Sequence, residues 1–102
     1  MLLQVKLSKR AEKKLDNLFN YLETKWSERA KNNFVKKLQK AIKQIQQHPS
    51  GFPKSEIIKG LHKLVITKQT TIYYKYDKKY IYIITVFDTR QNPEKLLDES
   101  KE

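Results

Sequence analysis

Arg90 is the side chain in this sequence best suited to hold an anion. It lies in the run Phe87-Asp88-Thr89-Arg90-Gln91-Asn92-Pro93, directly after the apolar segment Tyr80–Phe87. A guanidinium, with a pKa above about 12, makes a poor base, but its fork of donors matches a phosphate or a carboxylate. Two to three residues past a buried strand it would be held by a rigid sheet and still meet solvent. Equally, Arg90 could pair with Asp88 or Glu94 and pin the tail, and both readings fit the sequence. Asp88 itself reads as a turn residue rather than a catalytic acid.

Lys63 is the second candidate, with Lys59, Lys68 and Lys75 nearby in sequence as further cations for a phosphate or a target surface. His62, beside Lys63, has a ring able to exchange protons near neutral pH, and surrounding cations would stabilise charge building on a phosphodiester. Strand alternation, however, sends His62 and Lys63 to opposite faces. If Leu64 and Ile66 face the core, His62 leans inward with them, as a partly buried packing residue. His48, in the last helical turn before Pro49, is accounted for by that C-terminal position.

Neither histidine has metal-ligand spacing, and Gly51 and Gly60 make no glycine-rich phosphate loop, so no metal and no cofactor are expected. Of the six tyrosines, those from Tyr73 to Tyr82 suit half-buried strand positions, and also suit base stacking on an open sheet face.

These groups belong to a chain of 102 residues with 22 Lys and Arg against 11 Asp and Glu, a net charge of +11. That length builds one modest core. The charge favours a polyanion or an acidic protein partner, although it also arises where a genome simply favours lysine. There is no cysteine, hence no disulfide and no thiol nucleophile. No apolar run approaches the roughly 18 residues of a membrane span, and Met1-Leu2-Leu3-Gln4-Val5-Lys6 lacks the regions of a signal peptide, so a cytoplasmic protein is expected.

The positioning elements follow from periodicity. Leu3–Leu7 alternates as a half-buried strand, and Ser8 offers a helix cap. Leu15, Leu18, Phe19, Leu22 and Trp26 then fall on one face of a helix. Ser27 opens a second helix, with Ala30, Phe34, Leu38, Ala41, Ile42 and Ile45 on its apolar face, down to His48-Pro49. Lys36, Lys37, Lys40 and Lys43 form a cationic outer face on it.

Pro49-Ser50-Gly51-Phe52-Pro53 breaks the helix. Three strands follow, over Leu61–Lys68, Thr70–Tyr76 and Tyr80–Phe87, the last with Ile81, Ile83, Thr85 and Phe87 on one face and Tyr82, Ile84 and Val86 on the other. A strand apolar on both faces belongs inside a sheet. The expectation is an α+β domain, β-α-α-β-β-β, with a helical hairpin on a small, mainly antiparallel sheet, spanning residues 1–97 before a short polar tail, 98–102.

Ser8-Lys9-Arg10-Ala11 before a helical hairpin, Phe52-Pro53 in the break, the strand Leu61–Lys68, Tyr73-Tyr74-Lys75-Tyr76, and Phe87 to Pro93 together resemble the RelE/ParE superfamily of toxins from bacterial type II toxin–antitoxin systems. The resemblance runs from about residue 2 to 97. It implies a growth inhibitor, in some systems serving plasmid stabilisation, that a cognate antitoxin holds inactive. RelE-like members cut messenger RNA on the ribosome; ParE-like members inhibit DNA gyrase.

Lys63 matches a family strand lysine and Arg90 the basic residue after the last strand. Val65 stands where a second strand lysine is usual, Thr71 where an arginine opens the next strand, and Leu96 where many nucleases carry an aromatic. Those departures and the long hairpin favour a ParE-like gyrase inhibitor. A ribosome-dependent endoribonuclease using Lys63 and Arg90 is the alternative, and a non-toxic nucleic-acid-binding module the remoter one.

Overall fold

The computed structural model describes residues 2–89 of the chain. Element order is β1 (Gln4–Leu7), α1 (Lys9–Lys25), α2 (Glu28–Gln47), a 3-10 turn (Pro49–Gly51), β2 (His62–Val65), β3 (Thr70–Tyr76) and β4 (Tyr80–Asp88). This is the expected β-α-α-β-β-β order. Arg90 and the tail after residue 97 lie outside the described residues.

Both caps fall where the serines predict them. Ser8 Oγ accepts from the Ala11 amide at 2.9 Å, and Ser27 Oγ accepts from the Ala30 amide at 3.0 Å. Each satisfies a donor that a helix start otherwise leaves orphaned. The helices bury Ala11, Leu15, Leu18 and Leu22 of α1 and Phe34, Leu38, Ala41 and Ile45 of α2 against one face of the sheet, where Leu64, Ile72, Tyr74, Ile81, Ile83 and Val86 complete the core. Trp26 departs from the periodic expectation. It is the C-cap of α1 and stands 68% exposed, because the helix ends before its ring can turn toward the core.

The sheet order is β1-β4-β3-β2, with β1 parallel to β4 and the other pairs antiparallel. The doubly apolar β4 is thus interior. β2 is shorter than the Leu61–Lys68 expectation, since the chain turns at Ile66, whose amide bonds back to the Thr70 carbonyl at 2.9 Å.

The two-face assignment of β4 fails halfway along. Tyr74 pairs with Ile83 but Tyr73 with Thr85, so Ile84 is an extra residue, a β-bulge. Beyond it the alternation is reset, and Val86 joins the helix-side core while Phe87 turns to the other face. The Ser8 hydroxyl donates to the carbonyl of that extra residue at 2.6 Å, so one side chain caps α1 and pins the bulge.

Asp88 is also not an exposed turn residue. It is 4% exposed at the end of β4, and Thr70 donates to its Oδ2 at 3.0 Å. A carboxylate at that depth keeps its place only with such partners.

Candidate functional site

Register decides which candidates share a surface. Lys63 pairs with Tyr73 and Val65 with Thr71, whereas His62 pairs with Tyr74 and Leu64 with Ile72. Because Tyr74, Leu64 and Ile72 belong to the helix-side core, Lys63, Val65, Thr71 and Tyr73 face the opposite side, away from the helices. Lys75, two residues beyond Tyr73, shares that face. It lies diagonally across from Lys63, at a spacing of roughly 7–8 Å.

Lys75 then heads a row across three strands. It pairs with Tyr82 of β4, and Tyr82 pairs with Lys6 of β1. The Lys6 ammonium sits 4.0 Å from the centre of the Tyr80 ring, and that of Lys75 is 6.0 Å from the centre of the Tyr82 ring. Both distances lie within the range of cation–π attraction. Lys6 escapes sequence reasoning because only the parallel β1–β4 pairing brings it here, and parallel neighbours carry no local signal.

Tyr82 is held by its hydroxyl, which donates to Asp77 Oδ2 at 3.0 Å. Asp77 in turn organises the β3–β4 turn, its Oδ1 accepting from the amides of Lys79 and Tyr80 at 2.8 Å each. Those two backbone bonds hold its carboxyl below the usual carboxylate range. Desolvation and the bond to Asp77 push the Tyr82 phenol up. Tyr82 is therefore a neutral donor at physiological pH.

His62 takes the inward course. Its ring stacks on Tyr74, with 5.3 Å between centroids and planes 23° apart, and lies 5.5 Å from Tyr76. Nδ1 is 2.8 Å from the Phe52 carbonyl oxygen. A carbonyl only accepts, so Nδ1 carries the hydrogen. The ring thus clamps the 48–54 segment to β2, and strand alternation turns it away from Lys63's face. His62 also lines a shallow depression with Ser50, Lys54, Gly60, Lys75 and Tyr76, where Lys54 bridges to His62 as an extension of the sheet.

The remaining cations are spread out. Lys59 is exposed in the loop whose Ile58 and Leu61 pack with Tyr73 and Phe87 in a second small core. Lys68 is exposed in the β2–β3 turn, so the length of β3, roughly 17 Å from Thr70 to Lys75, separates it from Lys75. The structure brings together Lys63 and Lys75 and adds Lys6, Tyr80 and Tyr82. Arg90 follows the last residue of β4 by two positions, outside the described residues.

Among the described residues, no acid or imidazole contacts Lys63, and no group of three His, Asp or Glu is placed to hold a metal. No helix is long and apolar enough to cross a membrane. The arrangement suits recognition of an anionic surface through the ammonium groups of Lys6, Lys63 and Lys75, two of them seated by tyrosine rings.

Comparison with known proteins places this geometry. The family model for the ParE toxin of type II toxin–antitoxin systems, parDE, matches residues 5–93. By sequence alone, no curated protein is matched. Among solved structures, the chromosomal ParDE toxin–antitoxin system of P. aeruginosa superposes with a TM-score of 0.71 at 16% identity, covering 85% of this chain and 96% of that one. The YoeB dimer of Staphylococcus aureus gives 0.62 at 18% identity, covering 85% and 97%. The E. coli DinJ–YafQ toxin–antitoxin complex gives 0.56 at 10% identity, covering 88% and 96%. At these identities the superpositions speak for the fold.

Proposed function

The chain belongs to the ParE toxin family of type II toxin–antitoxin systems, and from that premise we propose that it arrests growth by binding rather than by cutting RNA, with DNA gyrase as its target and a cognate antitoxin as its restraint. One observation carries the choice of binding over cleavage. Val65 and Thr71, the residues standing where nuclease relatives of the superfamily are expected to carry cations, are direct cross-strand partners on the same face as Lys63.

An uncharged, 61% exposed valine and a threonine therefore stand beside Lys63, at the end of the face on which a scissile phosphate would need its charge neutralised. His62, the one imidazole near Lys63 in sequence, is committed to Tyr74 and the Phe52 carbonyl. Cleavage needs a positioned acid or base, an effect of about 10²- to 10⁴-fold, and neither neighbour supplies it. Lys63, Lys75 and Arg90 then act as target-binding residues, with Lys59 and Lys68 at the periphery.

The experiment is induction of the chain without its antitoxin, with pulse labelling of new DNA and new protein over the first minutes, beside a supercoiling assay with purified gyrase. Early loss of DNA synthesis with translation intact, and gyrase inhibition weakened by Lys63→Ala or Arg90→Ala, is the expected result. Early collapse of translation, with messenger RNA cut only when ribosomes are present, would overturn the proposal in favour of the endoribonuclease.

A further inference from the structure

We propose that the outer ridge of α2 binds the phosphate backbone of duplex DNA, an activity separate from the sheet face and independent of which target the toxin inhibits. The helix buries Phe34, Leu38, Ala41 and Ile45. At 100° per residue, Arg29, Lys36, Lys40 and Lys43 fall on the line diametrically opposite, and all four are exposed. Asn32, Asn33, Gln39, Gln44 and Gln47 flank them, also exposed.

From Arg29 to Gln47 the helix holds no acidic residue. None of the four cations has an ion-pair partner among the described residues; the ion pair α2 does form, Lys31 to Glu23 at 3.1 Å, lies on the flank toward α1. The neighbouring helix is the internal comparison. On α1, Lys9, Lys13 and Lys25 alternate with exposed Glu12, Asp16 and Glu23, the mixture expected of a solvated surface. A general lysine bias would have mixed both helices alike. Lys and Arg lined by Asn and Gln are the side chains that contact phosphate oxygens.

Shape selects the nucleic acid. The ridge is straight, rising about 21 Å from Arg29 to Lys43, the length of about six base pairs of B-form duplex. The B-form major groove, about 12 Å wide, admits a helix, whereas the A-form groove of duplex RNA is too narrow. Single strands are held largely by stacking on aromatic rings, and the aromatic of α2, Phe34, is buried.

The test is fluorescence anisotropy with a labelled 20-base-pair DNA duplex, the matching single strand, the matching RNA duplex and polyglutamate as competitor, across roughly 50 to 200 mM salt. Four neutralised phosphates predict a log–log salt slope of about −3.6, a loss of roughly 100-fold over that range. In the triple variant Lys36→Gln, Lys40→Gln, Lys43→Gln the slope should fall to about −0.9. The variant Lys9→Gln, Lys13→Gln, Lys25→Gln on α1 removes the same charge and should keep most of the wild-type slope. Circular dichroism confirms that both fold.

Equal losses in the two triple variants would overturn the proposal by reducing the effect to net charge. Single strand or duplex RNA binding as tightly as duplex DNA, or displacement by polyglutamate at equal charge concentration, would overturn it as well, the last by making the ridge a site for an acidic protein.

Discussion

The phenol of Tyr74 should govern stability in alkali, and removing it should make the protein less stable at neutral pH yet more stable near pH 12. Tyr74 is fully buried, and its hydroxyl donates to the Pro49 carbonyl at 2.7 Å, tying β3 to the end of the helical hairpin. Burial first, and the neighbouring Tyr76 second, push its pKa from 10.0 to about 12. In the unfolded chain it titrates near 10. The folded state therefore holds this proton more tightly, so stability is intact below pH 10 and drains away as pH rises toward 12. That shift corresponds to about 1 kcal/mol lost by pH 11 and about 2 kcal/mol by pH 12.

Tyr74→Phe keeps the ring but loses one hydrogen bond, a cost of about 1 kcal/mol at pH 7, or some 4–8 °C in Tm. It also removes the titration. The two stability curves should cross near pH 11, with the variant ahead by about 1 kcal/mol at pH 12. Urea unfolding followed by far-UV circular dichroism is the assay, because Trp26, 68% exposed, reports poorly on folding by fluorescence. Parallel curves from pH 9 to 12 would refute the reasoning and show that the ionised phenol finds a partner in the folded state.

Two further substitutions test the local chemistry. Ser8→Ala removes both the α1 cap and the hydroxyl that satisfies the bulge carbonyl, so it should cost about 2 kcal/mol, at the top of the range for a cap alone; Ser27→Ala, which removes a cap only, should cost about 1 kcal/mol in the same urea titration. Gly60 has φ +88° with nothing within 4 Å of the place a Cβ would occupy, so Gly60→Ala meets backbone strain without a clash and should cost about 1 kcal/mol. Gly51→Ala, without the positive φ, should be near neutral by comparison.

Elements and their order were legible in the sequence because each rests on a local signal: alternation for the strands, three-and-four spacing for α1 and α2, serine before each helix, and prolines after α2. Legibility stopped where a local period is interrupted by a tertiary cause. Trp26 continues the α1 pattern on paper, but its apolar spacing carries no knowledge that the helix must end to turn into α2. Ile84 continues the β4 alternation, yet the bulge that resets it is paired against Tyr73 and secured by Ser8, 76 positions away in the chain.

The same limit applies to the site. His62 and Lys63 were separable by alternation alone, and the structure places them on opposite faces. The Lys6–Tyr82–Lys75 row was not legible, because it depends on a parallel partner from the other end of the chain. Asp88 shows the converse error. Its type and position suggest a turn, but Thr70 on the adjacent strand gives it a buried partner, and a carboxylate that is satisfied inside the sheet anchors the strand that leads to Arg90. The end of β4 is therefore held by a polar contact that no spacing rule would have supplied. Weakening that contact with Thr70→Val leaves a buried carboxylate short of one donor and should cost about 1–3 kcal/mol in the same urea titration.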